Sequence, residues 1–139
     1  MRERLEEICR RYHVADLYAF GSRAAEFAAK LAGKPFATSR AESDLDIGVR
    51  SESRGQWSAE ERVSLALALE DLFHVPRVDL VVLSEAEPFL ALDIIRGELL
   101  YTVNPDEQAR YELFVLRRAG DLLPFKKERI RMILEEGAH

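Results

Sequence analysis

The sequence has one cysteine, Cys9, and contains no apolar run of the length that crosses a membrane. A single cysteine excludes a disulfide within the chain, and the histidines and Cys9 lack the spacing of a zinc site. The apolar stretch from Val63 to Phe73 is interrupted by Glu70 and Asp71, and a membrane span needs about 18 residues. The start of the chain mixes charges of both signs, unlike a signal peptide. We therefore expect a cytoplasmic protein without a membrane-bound segment.

The charge balance argues against a broad basic surface that would bind a nucleic-acid backbone. Twenty Lys and Arg residues stand against 25 Asp and Glu residues, which gives a net charge of −5. A surface of this balance does not neutralise a phosphate backbone, so no direct nucleic-acid partner is expected. The length of 139 residues and the 47% hydrophobic content suit one domain over residues 1–139. Its core would span about residues 14–103, with a helical segment over about 105–136.

Hydrophobic periodicity predicts helices and strands in alternation. Ser22 is expected to cap the second helix, Ser58 and Glu61 to form a capping box, and Asn104 to cap a later helix with Glu107 completing a second box. The predicted elements are a helix over 1–12, a strand over 14–20, a helix over 23–32, a strand over 44–50, a helix from 58 to about 74, a strand over 78–83, a short helix over 88–96, a brief strand over 98–103, a helix from 105 to about 118, and a last helix after 120–124. The predicted fold class is α/β (α+β), with a small mixed sheet flanked by helices.

Three carboxylates and a Gly-Ser turn form the candidate site. Asp44 and Asp46 stand two residues apart at the start of a predicted strand, so their side chains project to one side together. Asp79 has the same setting in the next predicted strand. If the two strands are adjacent, the three carboxylates converge, and their repulsion would be relieved by a divalent cation.

Magnesium suits such a cluster, because it takes a few carboxylate oxygens and completes its coordination with water and substrate phosphates. Gly21 lets the backbone approach a phosphate closely, and the following helix N-terminus offers free N–H groups. The Ser22 hydroxyl and Arg23 would add donors to the phosphates. Asp79 is the candidate for accepting the proton of an attacking hydroxyl.

With these residues in place, the chain resembles the minimal nucleotidyltransferases of the polymerase β superfamily. The resemblance rests on Gly21-Ser22, on Asp44-Leu45-Asp46 and on Asp79, in that order. It is most similar to the minimal nucleotidyltransferase (MNT) antitoxins that are paired with HEPN ribonuclease toxins, and the segments 17–24 and 95–101 share this likeness. The resemblance covers most of residues 10–120.

The resemblance implies a polymerase β-like fold and an enzyme that transfers AMP from ATP to a tyrosine of the toxin. Asp44, Asp46 and Asp79 would bind Mg²⁺ and act in catalysis, and Gly21, Ser22 and Arg23 would bind the nucleotide phosphates. The partners would be a HEPN toxin and ATP, in a homo- or hetero-oligomer. The family's spacer between Ser and the first Asp is about ten residues, whereas 21 residues separate Ser22 from Asp44. A longer helix and loop would fill that insert and leave the two ends of the motif able to meet.

Two other functions remain open from the sequence. One is a nucleotidyltransferase of the aminoglycoside-modifying kind, which acts on a small molecule. The other is a non-catalytic antitoxin that blocks its toxin by binding alone, because a degenerate site would keep much of the same pattern. The helix over 124–136 and the aromatic segment Tyr111–Val115 are candidates for a partner surface.

Overall fold

A computed structural model describes residues 1–36, 44–52 and 57–137. The insert between Ser22 and Asp44, for which a longer helix and a loop were predicted, lies partly outside these residues. The elements are α1 (Arg2–Arg11), β1 (Val14–Phe20), α2 (Ala24–Leu31), β2 (Leu45–Ser51), α3 (Ala59–Phe73), β3 (Val78–Val82), a 3-10 turn (Leu83–Glu85), α4 (Pro88–Ile95), β4 (Glu98–Thr102) and α5 (Pro105–Gly137).

The four strands form one mixed sheet in the order β3-β2-β1-β4. β1 lies antiparallel to both β2 and β4, whereas β2 and β3 are parallel. Helix α3 makes the crossover between the two parallel strands, as such a connection requires. The small mixed sheet flanked by helices that the sequence predicted is therefore confirmed.

The two faces of the sheet pack against different helices. One face carries the larger core, in which Leu45, Ile47 and Val49 of β2 are fully buried against side chains from α1, α2 and α3. The opposite face packs Tyr18 of β1 against Ile94 of α4 and residues of α5. The alternation of side chains along β2 thus leaves Asp46 on the second face, at the end of the sheet where β2 and β3 begin.

The first half of α5 is fixed to this second face by buried polar contacts. Gln108 donates from Nε2 to the Tyr18 hydroxyl over 2.7 Å, and that hydroxyl donates to Glu112 Oε1 over 2.9 Å. On the same strand, the fully buried Asp16 accepts from Arg50 Nε and from the Thr102 hydroxyl at 2.6 and 2.7 Å. The bonds of Tyr18 with Gln108 and Glu112 fix which side of α5 faces the sheet, whereas those of Asp16 join β1 to its neighbours β2 and β4.

The C-terminal helices predicted as two are one helix of 33 residues, with Pro124 inside it. A proline within a helix removes one hydrogen bond and crowds the carbonyl four residues earlier. Here that earlier residue is Gly120, which has the least steric restriction of any residue. The prediction of a break at residues 120–124 was therefore wrong.

The cap predictions had mixed outcomes. The capping box of Ser58 and Glu61 is confirmed in both directions. Asn104 caps α5 by accepting from the N–H groups of Asp106 and Glu107, but its own N–H donates to the Thr102 hydroxyl instead of completing a box.

Ser22 does not cap α2, because that helix begins one residue later than predicted. Gly21 has a left-handed φ of 77°, and a turn follows in which the Ala24 N–H donates to the Gly21 carbonyl over 3.3 Å. The N-cap position therefore belongs to Arg23.

Among the described residues, no helix has the length and apolar character needed to span a membrane.

Gly48 provides a test of the packing between β2 and α4. A Cβ at this position would overlap the side chain of Ile94, which is fully buried and stiff because it branches at Cβ. We expect Gly48→Ala to lower the free energy of unfolding by about 1–3 kcal/mol, measured by urea denaturation. Equal stability of Gly48→Ala and the unchanged protein would contradict the proposed packing.

Candidate active site

Asp46 and Asp79 lie side by side on the two parallel strands. The register pairs Asp46 of β2 with Asp79 of β3, and it pairs Asp46 with Phe20 of β1 on the other side. The three residues thus form one row across adjacent strands, on the face covered by α4 and α5. The strands that carry Asp46 and Asp79 are therefore adjacent, as the convergence of their carboxylates requires.

Gly21 brings the other half of the motif to the same place. It follows Phe20 directly, and a Cβ built on Gly21 would lie 2.6 Å from Asp46 Oδ2. Any side chain at position 21 would therefore displace the Asp46 carboxylate, and the φ of 77° independently favours glycine. The two ends of the motif meet despite the 21 residues between Ser22 and Asp44.

Asp44 stands immediately before β2 and is connected to Asp79 through an arginine. Arg77 Nη2 lies 3.1 Å from Asp79 Oδ1, and Arg77 Nε lies 4.0 Å from Asp44 Oδ2. Arg77 was not among the site residues predicted from the sequence. Its position two residues before Asp79, hence on the same side of an extended chain, is the signal that would have found it.

The pKa of the Asp46 carboxyl is raised above its ordinary value. The largest cause is burial, and the nearby charges of Asp79 and Asp44 add to it. Both causes disfavour the ionised form, because the carboxylate loses hydration and faces two other negative charges. The site therefore concentrates negative charge at a cost that a bound cation would reduce.

Ser22 and Arg23 occupy different surroundings. Ser22 is exposed beside Gly21, at the edge of the carboxylate row. Arg23 is buried, and its Nη2 lies 2.9 Å from Glu26 Oε2 while its guanidinium stacks 4.8 Å above the Phe27 ring. This hydrogen bond from Arg23 is the main cause that lowers the pKa of the Glu26 carboxyl. A phosphate-binding role for Arg23 stays a prediction. In this structure its guanidinium contacts Glu26 and Phe27 of α2.

The donor set fits a hard divalent cation in its chemistry. The oxygen atoms come from carboxylates on adjacent strands, and Gly21 leaves open the space into which the Asp46 carboxylate extends. Within residues 1–36, 44–52 and 57–137, no three His, Cys, Asp or Glu groups are already arranged to hold a metal ion. The described side chains of Asp44 and Asp79 are instead directed to Arg77.

A family model for "Polymerase beta, Nucleotidyltransferase" matches residues 3–106 of the sequence. The chain belongs to this nucleotidyltransferase family. The matched span contains all four strands and each of the motif residues from Gly21 to Asp79.

Solved structures of similar fold support the same polymerase beta nucleotidyltransferase architecture. A toxin–antitoxin structure with AMP-PNP has a TM-score of 0.73 at 18% identity, covering 96% of this chain and 98% of the other. A complex of a tri-AMPylated HEPN toxin from Shewanella oneidensis with its MNT antitoxin has a TM-score of 0.68 at 17% identity, covering 96% and 95%. A protein described as a candidate minimal nucleotidyltransferase has a TM-score of 0.52 at 30% identity, covering 70% and 85%.

No protein of curated function matches the chain of this nucleotidyltransferase in sequence.

Replacing Asp46 is expected to raise stability in a pH-dependent way. Folding raises the pKa of the Asp46 carboxyl above its ordinary value of 3.8. Such a group stabilises the folded protein at a pH below its ordinary pKa, and this stability is lost as the pH rises through the raised pKa. Metal-free Asp46→Asn should therefore be more stable than the unchanged protein at pH 7, and this difference should shrink toward about pH 3. Urea unfolding at both pH values measures the effect.

The matched control for this experiment is Asp71→Asn. Asp71 is a carboxylate with 81% of its side chain exposed, paired with Arg4 over 3.7 Å, and its replacement should change stability little at either pH. A metal-free Asp46→Asn protein that is less stable than the unchanged protein at pH 7 would show that the charge of Asp46 stabilises the fold.

Proposed function

We propose that this nucleotidyltransferase is an Mg²⁺-dependent antitoxin that transfers AMP from ATP to a tyrosine of a cognate HEPN ribonuclease toxin and so neutralises it. The observation that carries the proposal is the alignment of Asp46 with Asp79 beside Gly21. These groups supply carboxylates and an accessible backbone turn, which are the parts that nucleotidyl transfer needs.

Similar structures favour this acceptor and nucleotide over the small-molecule alternative. One similar structure is a toxin–antitoxin with AMP-PNP, and another holds a tri-AMPylated HEPN toxin with its MNT antitoxin. Both cover at least 95% of each chain. The chain thus matches a chain of each complex over nearly its whole length, which supports an acceptor and a nucleotide of the same kind.

The reaction follows from the roles proposed for the side chains. The tyrosine oxygen of the toxin attacks the α-phosphorus of ATP, a new phosphoester bond forms, and the bond to the β-phosphate bridging oxygen breaks. Pyrophosphate leaves, and the phenolic proton passes to a carboxylate, for which Asp79 is the candidate. Gly21 and the exposed Ser22 would bind the phosphates through backbone N–H and hydroxyl groups.

Asp44, Asp46 and Asp79 are the residues that would hold Mg²⁺. When bound, the cation would neutralise charge that develops on the phosphates.

Exposed apolar side chains on the second half of α5 are the proposed toxin-binding surface. We define the α5 surface by its exposed side chains Leu123, Phe125, Ile130, Met132, Ile133 and Leu134. Apolar exposure on this scale is typical of an interaction surface. An isolated helical segment of this length is only marginally stable in water, so a partner that covers it would also stabilise the helix.

Adenylyl transfer can be tested directly with α-labelled ATP, Mg²⁺ and the cognate toxin. Asp46→Asn and Asp79→Asn should each reduce labelling of the toxin by at least about 100-fold, since each removes a charged group from the reacting centre. Asp71→Asn should label the toxin at the unchanged rate. Full neutralisation of the toxin by Asp46→Asn with no label transferred would favour the non-catalytic antitoxin.

The α5 surface can be tested with a pair of matched substitutions. Ile133 and Val63 have 58% and 59% exposure, and both lie inside helices, in α5 and α3 respectively. Ile133→Asp should weaken toxin binding by at least about 10-fold, because burial of an aliphatic side chain against the toxin would contribute about 1.5–3 kcal/mol. Val63→Asp should leave toxin binding unchanged. Isothermal titration calorimetry measures both, and loss of binding only in Val63→Asp would assign the interface to α3.

A further inference from the structure

Arg77 is the one described cation in ion-pair contact with the proposed metal ligands Asp44 and Asp79. We infer that Arg77 is an exchangeable counter-ion: it pairs with the carboxylates in the free protein and moves to the nucleotide triphosphate when a divalent cation binds. This inference rests on the proposed function, because it takes the three carboxylates as the metal ligands.

The backbone of Arg77 is held in place beside the site. Its carbonyl accepts a 3.1 Å hydrogen bond from the N–H of Leu45, the residue between Asp44 and Asp46. The side chain therefore starts from a fixed point between β2 and β3, from which its guanidinium reaches a carboxylate on each side. Only the side chain of Arg77 would need to move for its guanidinium to change partners.

The contacts of the Arg77 side chain are weak enough to exchange. Two-thirds of the side chain is exposed, and only the 3.1 Å contact with Asp79 is within hydrogen-bond distance, because the contact with Asp44 is 4.0 Å long. Exposed ion pairs contribute little stability. A divalent cation carries twice the charge and is smaller, so it competes effectively for the same oxygens.

Arg23 shows what a fixed arginine looks like in the same molecule. Its side chain is 5% exposed and contacts the 2% exposed Glu26 carboxylate through both Nε and Nη2, at 3.3 and 2.9 Å. Unlike Arg23, Arg77 can therefore leave its partners without leaving an unpaired charge buried.

The released guanidinium has a suitable new partner in the substrate. Its planar group of N–H donors matches the oxygen atoms of a phosphate, and it keeps its charge at all working pH values. Arg77 therefore opposes binding of the metal alone and favours binding of metal and triphosphate together. By linkage, each ligand then tightens the other by the same factor.

The test measures Mn²⁺ binding calorimetrically, with and without a saturating non-hydrolysable ATP analogue, in the unchanged protein and in Arg77→Gln. Without nucleotide, Arg77→Gln should bind Mn²⁺ about 3–5-fold more tightly, as expected for removal of one weak competing ion pair. The factor by which the analogue tightens Mn²⁺ binding should fall by at least a similar amount. Arg77→Lys should keep the affinity for Mn²⁺ alone near that of the unchanged protein, because it keeps the charge, but should lose part of the nucleotide effect.

The matched control is Arg4→Gln, because Arg4 is also an exposed arginine paired with an aspartate, Asp71, at 3.7 Å. It should leave both affinities unchanged. If Arg77→Gln leaves Mn²⁺ affinity and the nucleotide effect unchanged, or weakens Mn²⁺ binding, the inference is overturned. Failure of the proposed function gives a different result: the binding changes occur as expected, but the toxin is not labelled by any of these proteins.

Discussion

The parallel pairing of β2 with β3 is the constraint on which the site depends. It places Asp46 next to Asp79 at the start of two strands, and the Gly21 turn lies against Asp46 from the neighbouring strand β1. Two carboxylates in adjacent register repel each other, so the arrangement lowers the stability of the free protein. The buried apolar row Leu45, Ile47 and Val49 on the opposite face offsets that cost, because burial of apolar side chains is the dominant favourable term in folding.

Much of the fold could be predicted because its signals are local. β1 has the predicted bounds, Val14–Phe20, since an apolar run ends at a glycine. The Ser58–Glu61 box fixes the start of α3 through contacts within four residues. The alternation Leu45, Ile47, Val49 was sufficient to assign Asp46 to the opposite face. The nucleotidyltransferase family could be predicted from the order of the motif residues, because that order does not depend on the length of the insert between Ser22 and Asp44.

The remaining features depend on contacts between distant residues or on competition between local preferences. Continuation of α5 through Pro124 depends on the glycine one turn earlier, and composition alone predicted a break. The cap of α2 moved from Ser22 to Arg23 because the left-handed turn at Gly21 delays the helix. The spacing of Arg77 and Asp79 predicts that they share one side of an extended chain, but the contact of Arg77 with Asp44 becomes visible only when β2 and β3 are adjacent.

Gly97 shows how far the demands of the site extend beyond its own residues. A Cβ at Gly97 would overlap the Ala19 carbonyl and crowd the Phe20 backbone, at the end of β1 from which the Gly21 turn departs. Tolerance to substitution at position 97 is thus governed by the closeness of two backbones, although residue 97 lies outside the carboxylate cluster. A survey of accepted substitutions would rank Gly97 with the proposed metal ligands, and invariance alone would not tell a chemical role from a steric one.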